Sequence, residues 1–442
     1  MASASTAKKR TASQLEPGAS SASNKVAKVH PFFSKTPAEE ATGSLNWLKP
    51  LGPSGSCLHA VNLTPASSVK VAAFDLDDTV IEGGFKKPPL EWRWWNPCVP
   101  VKLAEAAKEG YAIVVISNQA GLHEGKKRKD WKTKIGLIAA KLPDLPFRIF
   151  AATAKDHYRK PMIGMWEELE RLYAEDGVQI DKKSSFFVGD AAGRDYPKNP
   201  GKKKDFASTD RKWALNVEIP FFTPEEYLLG KAPDPDFSLK GFNASSLPKL
   251  PLYTPSSTPL LPSPPKQELV LFVGYPSLGK TTFYRKHFEP AGYRHINQDT
   301  LKTRDKCVKA VQEALAAGEK CVVDNTNRDA FTRKYYIDVA RKLGLPVRCM
   351  LFTGSAELAW HNNLYHSLGL PPSVAAREPP REMLPKLAFT TYKSNFEEPE
   401  LSEGFTEIKK VNWVFEGTAE ERKAWSRWFH LDDKDEKGVS FL

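Results

Sequence analysis

The chain has 442 residues, of which 41% are hydrophobic and 26% charged, with a net charge of +11. That is ordinary soluble composition and enough chain for two or three domains with cores of their own, while the basic balance favours a polyanionic partner. No apolar run approaches the roughly eighteen residues of a membrane span, no apolar leader opens the chain, and its five scattered cysteines lack a C-x-x-C pair, which argues for a reducing compartment and against a disulfide framework or structural zinc.

Residues 1–45 are rich in Ala, Ser, Thr and Lys and read as a disordered basic tail. "AKKR" with Lys25 and Lys28 has the character of a nuclear import signal, so the nucleus is the expected location. The one apolar cluster of this tail is "VAKVHPFFSK". There Val29, Phe32 and Phe33 have the spacing of the short motif that sliding clamps bind, with Val26 in place of its usual glutamine. A sliding clamp is one candidate partner for this segment; a chance apolar cluster, or an arm packing back on the following domain, is the alternative.

From 46 to 230, the strand-like runs "VAAFDL", "AIVVIS", "FRIFAAT" and "SFFVGD" alternate with helical patterns, which predicts a parallel α/β domain. Asp75 ends the first run and Asp77 can reach the same crevice. Paired acids of this kind suit a Mg²⁺-assisted phosphate chemistry, in which one attacks phosphorus and the other protonates the leaving oxygen. Thr79 is a candidate to orient an acid. A D-x-D turn that only caps a strand is the plain alternative, and three later features weigh against it. Ser117 ends the second run, with Asn118 behind it, as donors to phosphate oxygens. "HYRKP" supplies Arg159 and Lys160, and "SFFVGDAAGRD" ends a strand in Asp190, a third metal acid. Strand-end Asp, strand-end Ser, Lys and strand-end Asp, in that order, resemble the haloacid dehalogenase superfamily of phosphohydrolases. The resemblance implies a phospho-aspartyl intermediate on Asp75, with Asp77 as general acid and then general base.

Nine prolines between Pro233 and Pro265 mark residues 231–266 as a semi-extended linker. From 267 to 442, α/β alternation restarts with "ELVLFVG", "YRHINQD", "KCVVDNT" and "VRCMLFTG". Gly274 to Thr281 fits G-x-x-x-x-G-K-[ST] between a strand and a helix, a phosphate-cradling loop. Gly274, Gly279, Lys280, Thr281 and Thr282 are the nucleotide-binding candidates, with Lys280 on the β- and γ-phosphates and the Thr281 hydroxyl on Mg²⁺. Asp299 in "HINQDTL" is either a base for an attacking hydroxyl or a helix cap. Asp324, Asn325 and Asn327 end a third strand, and Arg333 on the next helix is either a stabiliser of γ-phosphate charge or part of a solvated face.

Phosphatase-type and kinase-type domains in this order resemble the polynucleotide kinase 3′-phosphatase family of DNA end-repair enzymes. The matching strings include "FDLDDT", "SNQAG", "YRKPMIGMWEEL", "FFVGDAAGR", "GKKKDFASTDRKWALNVEIPFFTPEEY", "VVDNTNRDAFTRKYY" and "SNFEEPELSEGF". The resemblance implies removal of 3′-phosphate and ATP-dependent phosphorylation of 5′-hydroxyl on DNA ends, by a monomer. It implies Asp75 as nucleophile and Asp77 as acid/base; Asp75, Asp190 and the Asp77 carbonyl at Mg²⁺; Ser117 and Lys160 on phosphate. In the kinase it implies Lys280 and Thr281 on ATP–Mg, Asp299 as base and Arg333 as charge stabiliser. Asp195, Asp205 and Asp210 are all placed to support the phosphatase metal site, and Arg377 and Arg381 are both candidates for a lid arginine. The tail is too short for the forkhead-associated domain of animal members, so a fungal-like form is expected. The basic runs at 125–134 and 200–206 are candidates to hold DNA phosphates. An RNA end-healing enzyme and a catalytically inactive scaffold are the alternatives; the intact Asp75, Asp77, Lys280, Thr281 and Asp299 weigh against the scaffold.

Overall fold

The computed structural model describes residues 45–83, 88–122, 124–197, 201, 203–377 and 381–431. Val29, Phe32, Phe33, the import-type run and Lys202 lie outside the described residues.

The first sheet is built from β1 (Leu45–Trp47), β2 (Cys57–Asn62), β3 (Val71–Phe74), β4 (Ala112–Asn118), β5 (Phe147–Ala152), β6 (Phe186–Val188) and β7 (Phe221–Phe222). Their order is β1-β2-β5-β4-β3-β6-β7. Five strands from β5 to β7 run parallel, whereas β1 and β2 form an antiparallel edge, so the sheet is mixed rather than wholly parallel. Helices α1 (Val99–Lys108), α2 (Lys126–Ala140), α3 (Gly164–Glu175), α4 (Thr209–Val217) and α5 (Pro224–Leu229) connect and cover it. β3 is buried on both faces, which is why it reads as an unbroken apolar run. Ala72 and Phe74 enter the layer that holds Leu103 and Ile135; Val71 and Ala73 enter the opposite layer with Trp166 and Trp213.

The second sheet uses β8 (Tyr253–Thr254), β9 (Leu269–Val273), β10 (Tyr293–Ile296), β11 (Lys320–Asp324), β12 (Val347–Phe352) and β13 (Glu407–Val411), ordered β10-β11-β9-β12-β13-β8. All are parallel except β8. Its helices are α6 (Lys280–Phe283, continuing as a π-turn over Tyr284–Phe288), α7 (Gln298–Leu301), α8 (Arg304–Ala316), α9 (Ala330–Lys342), α10 (Ala356–Leu364), α11 (Pro372–Ala375), α12 (Lys386–Asn395) and α13 (Ala419–Trp425). β9 is wholly buried, with Val270 and Phe272 packed towards Phe283 and Phe288, and Leu271 and Val273 towards Val311 and Tyr336.

The proline-rich segment differs from a free linker. Phe237 bridges to Arg194, with the Arg211 guanidinium 3.9 Å from its ring centroid. Tyr253 and Thr254 pair with β13, Leu260 is buried, and the Lys409 ammonium donates to the Pro255 and Thr258 carbonyls. Prolines keep this chain extended without preventing it from docking at both ends, because an edge strand leaves one side of each residue unpaired. The two sheet units also touch directly. His157 lies 3.1 Å from the Leu368 carbonyl, Lys212 donates to the His430 carbonyl, and Lys423 pairs with Glu218 at 2.7 Å.

Candidate active sites

The first site forms where β3, β4 and β6 end side by side. Asp75 directly follows β3, and its N–H donates to the Val188 carbonyl, which sets the carboxylate above the strand ends. Single oxygens of Asp75, Asp190 and Asp210 lie within 4.8 Å of one another. Asp210 arrives from α4, twenty residues beyond Asp190, and approaches so closely that a Cβ on Gly189 would stand 2.5 Å from its Oδ2. Of the three downstream acids, only Asp210 enters the cluster. Asp205 is engaged by Arg194 at 2.9 Å and Asp195 is exposed.

Lys160 is the buried cation of this site. Its ammonium lies 2.5 Å from Asp75 and 2.7 Å from Asp210 and donates to the Ile116 carbonyl at 2.9 Å. Burial works to lower this ammonium, but Asp210 and Asp75 outweigh it and hold it above its ordinary value. Burial pushes the Asp75 and Asp190 carboxyls upward, and the neighbouring acids add to the rise against the pull of Lys160. Three acids facing one cation leave an excess of negative charge, and a carboxylate cluster of this span fits a hard divalent cation of the Mg²⁺ class.

Asp77 does not turn its side chain into that cluster. Its Oδ2 accepts from Gln119 Nε2 at 2.6 Å, and the same amide donates to Ser117 Oγ at 3.0 Å. The Asp77 carboxyl therefore stands apart from the three-acid cluster, whose third member is Asp210. Burial raises Asp77, with the Gln119 hydrogen bond and the Lys134 charge opposing. Asn118 is likewise spent on structure, because its amide exchanges two hydrogen bonds with the Lys160 backbone. The Thr79 hydroxyl is buried and finds no hydrogen-bond partner among the described residues, so it orients neither acid. Gln119 sits inside "SNQAG", but no local sequence pattern marks an amide that bridges an acid to a hydroxyl.

The second site forms at the carboxyl ends of β9, β10 and β11. The 274–281 loop leaves β9 with Gly274 at φ +157° and Gly279 at φ +77°. A Cβ on Gly274 would stand 2.7 Å from that of Phe352, so the loop closes only with glycine there. Lys280 is buried and folds over the loop, donating to the Gly274 and Tyr275 carbonyls at 3.2 and 2.6 Å. Burial pulls its ammonium down to about 8, against the pull of Asp324 and Asp299. Thr281 Oγ1 donates to Asp324 Oδ2 at 2.6 Å, and His295 meets the same oxygen at 3.0 Å. A hydroxyl and a carboxylate joined in this way fit a Mg²⁺ ion beside a phosphate chain. Thr282 is exposed in a cleft that also contains Asn362, His366, Arg381 and Trp413. Asn362, unassigned in the sequence, donates to the Ser277 carbonyl at 3.0 Å and accepts from Trp425 Nε1 at 2.8 Å, bracing the loop.

Asp299 is exposed on α7 and does not cap that helix; the cap is Asn297, which accepts from the Thr300 N–H at 2.9 Å. Gln298 N–H donates to Asn325 Oδ1 at 2.8 Å, joining α7 to the exit of β11. Asn327 donates to the Phe272 carbonyl at 2.8 Å and so belongs to the frame.

Arg333 is a correction. Its side chain is 0% exposed, its Nε and Nη2 grip both oxygens of Glu403 at 2.8 and 2.6 Å, and Nη1 donates to the Asn327 and Glu397 carbonyls. A guanidinium consumed in this way pins α9 to residues 397–403 and is not presented to a phosphate. Arg377 donates to the Ser373 carbonyl outside the cleft, whereas Arg381 lines it.

Residues 70–228 match the family described as polynucleotide kinase 3 phosphatase, and residues 269–365 match the AAA domain. The bifunctional polynucleotide phosphatase/kinase of Schizosaccharomyces pombe is 36% identical over 369 residues, spanning 81% of this chain and 83% of that protein. A putative bifunctional polynucleotide phosphatase/kinase of Acanthamoeba polyphaga mimivirus is 34% identical over 390 residues, spanning 82% of this chain and 89% of that protein. The polynucleotide 3′-phosphatase ZDP of Arabidopsis thaliana is 31% identical over 183 residues, 38% of this chain and 25% of that protein.

Proposed function

The chain belongs to the bifunctional polynucleotide phosphatase/kinase family, and from that premise we propose that it heals broken DNA strands, removing 3′-phosphate at the first site and phosphorylating 5′-hydroxyl from ATP at the second. The observation that carries the reading is the presence, on one chain, of a lysine-anchored carboxylate site and a complete phosphate loop backed by Asp324. A break with both end defects needs both chemistries before a strand can be sealed.

At the first site an Asp75 oxygen attacks phosphorus, forming a phospho-aspartyl bond as the bond to the 3′-oxygen breaks. Asp77, raised by burial, carries the proton that the leaving oxygen takes. Asp77 then accepts a proton from the water that opens the acyl phosphate, restoring both acids. Lys160 holds the Asp75 carboxylate in line and Ser117 offers its hydroxyl to a phosphoryl oxygen. Asp210 orients Lys160, and its other oxygen accepts from the Ala191 N–H. Asp75 and Asp190, with the Asp77 carbonyl, would hold Mg²⁺, which supplies neutralisation of phosphoryl charge.

At the second site the 274–281 loop and Lys280 cradle the phosphates of ATP, and Thr281 with Asp324 would hold Mg²⁺. Asp299 takes the proton of the attacking 5′-hydroxyl. Arg381, in the cleft beside Gly279 and Thr282, fills the lid role better than Arg377. Lys126, Lys127 and Lys129 on α2, with Lys203 and Lys204, are exposed cations suited to DNA phosphates. We assign the protein to the nucleus, acting as a monomer, with the Val29, Phe32 and Phe33 segment as a clamp-binding candidate on sequence grounds.

Product analysis on a nicked duplex bearing 3′-phosphate and 5′-hydroxyl ends tests the reading, beside an RNA equivalent. Both ends of the DNA should be converted. Conversion of the RNA alone would move the substrate class to RNA, and conversion of neither would end the proposal.

A further inference from the structure

Phe331 sits on the first turn of α9 with 66% of its surface exposed. It is not isolated. Its ring stands edge-on to Tyr335, one turn along the same helix, with centroids 5.2 Å apart at 85°. The Arg304 guanidinium, at the start of α8, lies 4.1 Å from the centre of the Tyr335 ring. Arg304 Nε is buried and lies 3.6 Å from the Asp305 carboxylate beside it, which steadies the guanidinium. Two rings and a guanidinium thus make a ledge whose outer ring, Phe331, is open to solvent among the described residues, with Tyr335 and Arg304 half-buried behind it.

The position of the ledge indicates what it would receive. α9 begins just beyond Asn325 and Asn327, at the exit of β11, and α8 begins just beyond α7, which carries Asp299. The hydrogen bond from Gln298 to Asn325 joins those two exits into one rim. The ledge therefore stands on the same rim as the candidate base and lies outside the cleft that contains Thr282 and Arg381. Aromatic faces flanked by cations are what a single nucleic-acid strand stacks on, without regard to base identity. Such tolerance suits an enzyme that must accept any strand end.

We propose that Phe331, with Tyr335 and Arg304 behind it, is a stacking platform for a nucleobase at the 5′ end of the acceptor strand. The inference rests on the kinase reading above and deepens it by naming how the acceptor is held. Phe331 touches the base and not the reacting atoms, so it acts on acceptor binding.

The test uses the full chain and a 5′-hydroxyl DNA single strand carrying 2-aminopurine at its first position, in fluorescence and in kinase assays. Stacking quenches 2-aminopurine, so wild type should quench it, Phe331→Ala should lose the quench, and Phe331→Trp should restore it. In the kinase assay Phe331→Ala should raise acceptor KM about ten-fold, with ATP KM and kcat within two-fold. An acceptor with abasic sites at its first two positions should suffer the same rise with wild type and no further rise with Phe331→Ala. Unchanged quenching and KM in Phe331→Ala, or equal losses on base-bearing and abasic acceptors, would overturn the platform. Failure of wild type to phosphorylate the ordinary acceptor would instead remove the kinase reading, and the platform with it.

Discussion

Asn216 and Trp428 exchange two hydrogen bonds between the units built on the two sheets: Asn216 Nδ2 donates to the Trp428 carbonyl at 2.8 Å, and the Trp428 N–H donates to Asn216 Oδ1 at 2.7 Å. Nδ2 also donates to the Pro161 carbonyl at 2.8 Å, one residue beyond Lys160. One buried amide thus holds the lysine loop of the first site and the C-terminal segment that packs under the second. Asn216→Ala takes this partner from two carbonyls and an N–H, at a cost of about 1–3 kcal/mol for each buried group left unsatisfied. The unfolding midpoint should fall, and 3′-phosphatase kcat should fall more than 5′-kinase kcat because Lys160 loses its brace. Equal losses in the two activities, or none, would show that the contact only fastens the two units together.

His157 gives the same interface a pH dependence. Its ring bridges Glu167, at 2.6 Å, and the Leu368 carbonyl, at 3.1 Å. Burial works to lower its pKa, but the Glu167 hydrogen bond and charge outweigh burial and raise it above the ordinary value, while Glu167 itself is held low. A histidine raised on folding contributes fully below its unfolded value and loses that contribution as pH rises through its folded value. The His157 contribution to stability should therefore be lost as pH rises above the ordinary histidine value of about 6.5, and His157→Gln should flatten that part of the curve. Denaturant unfolding at several pH values checks this; an unchanged slope in the variant would contradict it.

Arg333 should behave as a structural residue. Removing one partner of a buried ion pair strands the other, at about 3–5 kcal/mol. Arg333→Gln and Glu403→Gln should destabilise to a similar degree, and the double variant should cost less than their sum. Kinase activity per folded molecule should survive below the new unfolding midpoint. A large fall in kcat with an unchanged midpoint would return Arg333 to the phosphate.

Asp299→Asn tests the base. It should lower kinase turnover with little change in ATP affinity, because the group acts on the attacking hydroxyl and not on the donor. Nucleotide titration beside steady-state kinetics measures both quantities. A parallel fall in ATP affinity would place Asp299 in the nucleotide site instead.

How far each feature was legible follows from how local its cause is. Asp75, Ser117 and Asp190 could be placed because strand ends in an α/β sheet converge on one crevice, and Gly274 to Thr281 because the loop carries its own steric demands. Asp210 could not be chosen from three acids, since its place depends on α4 folding back over Gly189. The fate of Arg333 depended on Glu403, seventy residues away, and no helical pattern reports such a partner. The two-residue β8 is too short to show a period, so the proline-rich segment read as a linker although it closes the edge of the second sheet. The antiparallel edge of β1 and β2 is hidden for a different reason: strand patterns report burial, not direction.

The central claim is that two chemically independent sites share this chain, and assaying Asp75→Asn and Lys280→Ala on one nicked duplex, with 3′-phosphate and 5′-hydroxyl released and labelled in the same tube, tests it most directly. Asp75→Asn should abolish 3′-phosphate removal and leave 5′ phosphorylation within a few fold; Lys280→Ala should do the reverse. Loss of both activities in either properly folded variant, or retention of phosphatase activity in Asp75→Asn, would contradict the account.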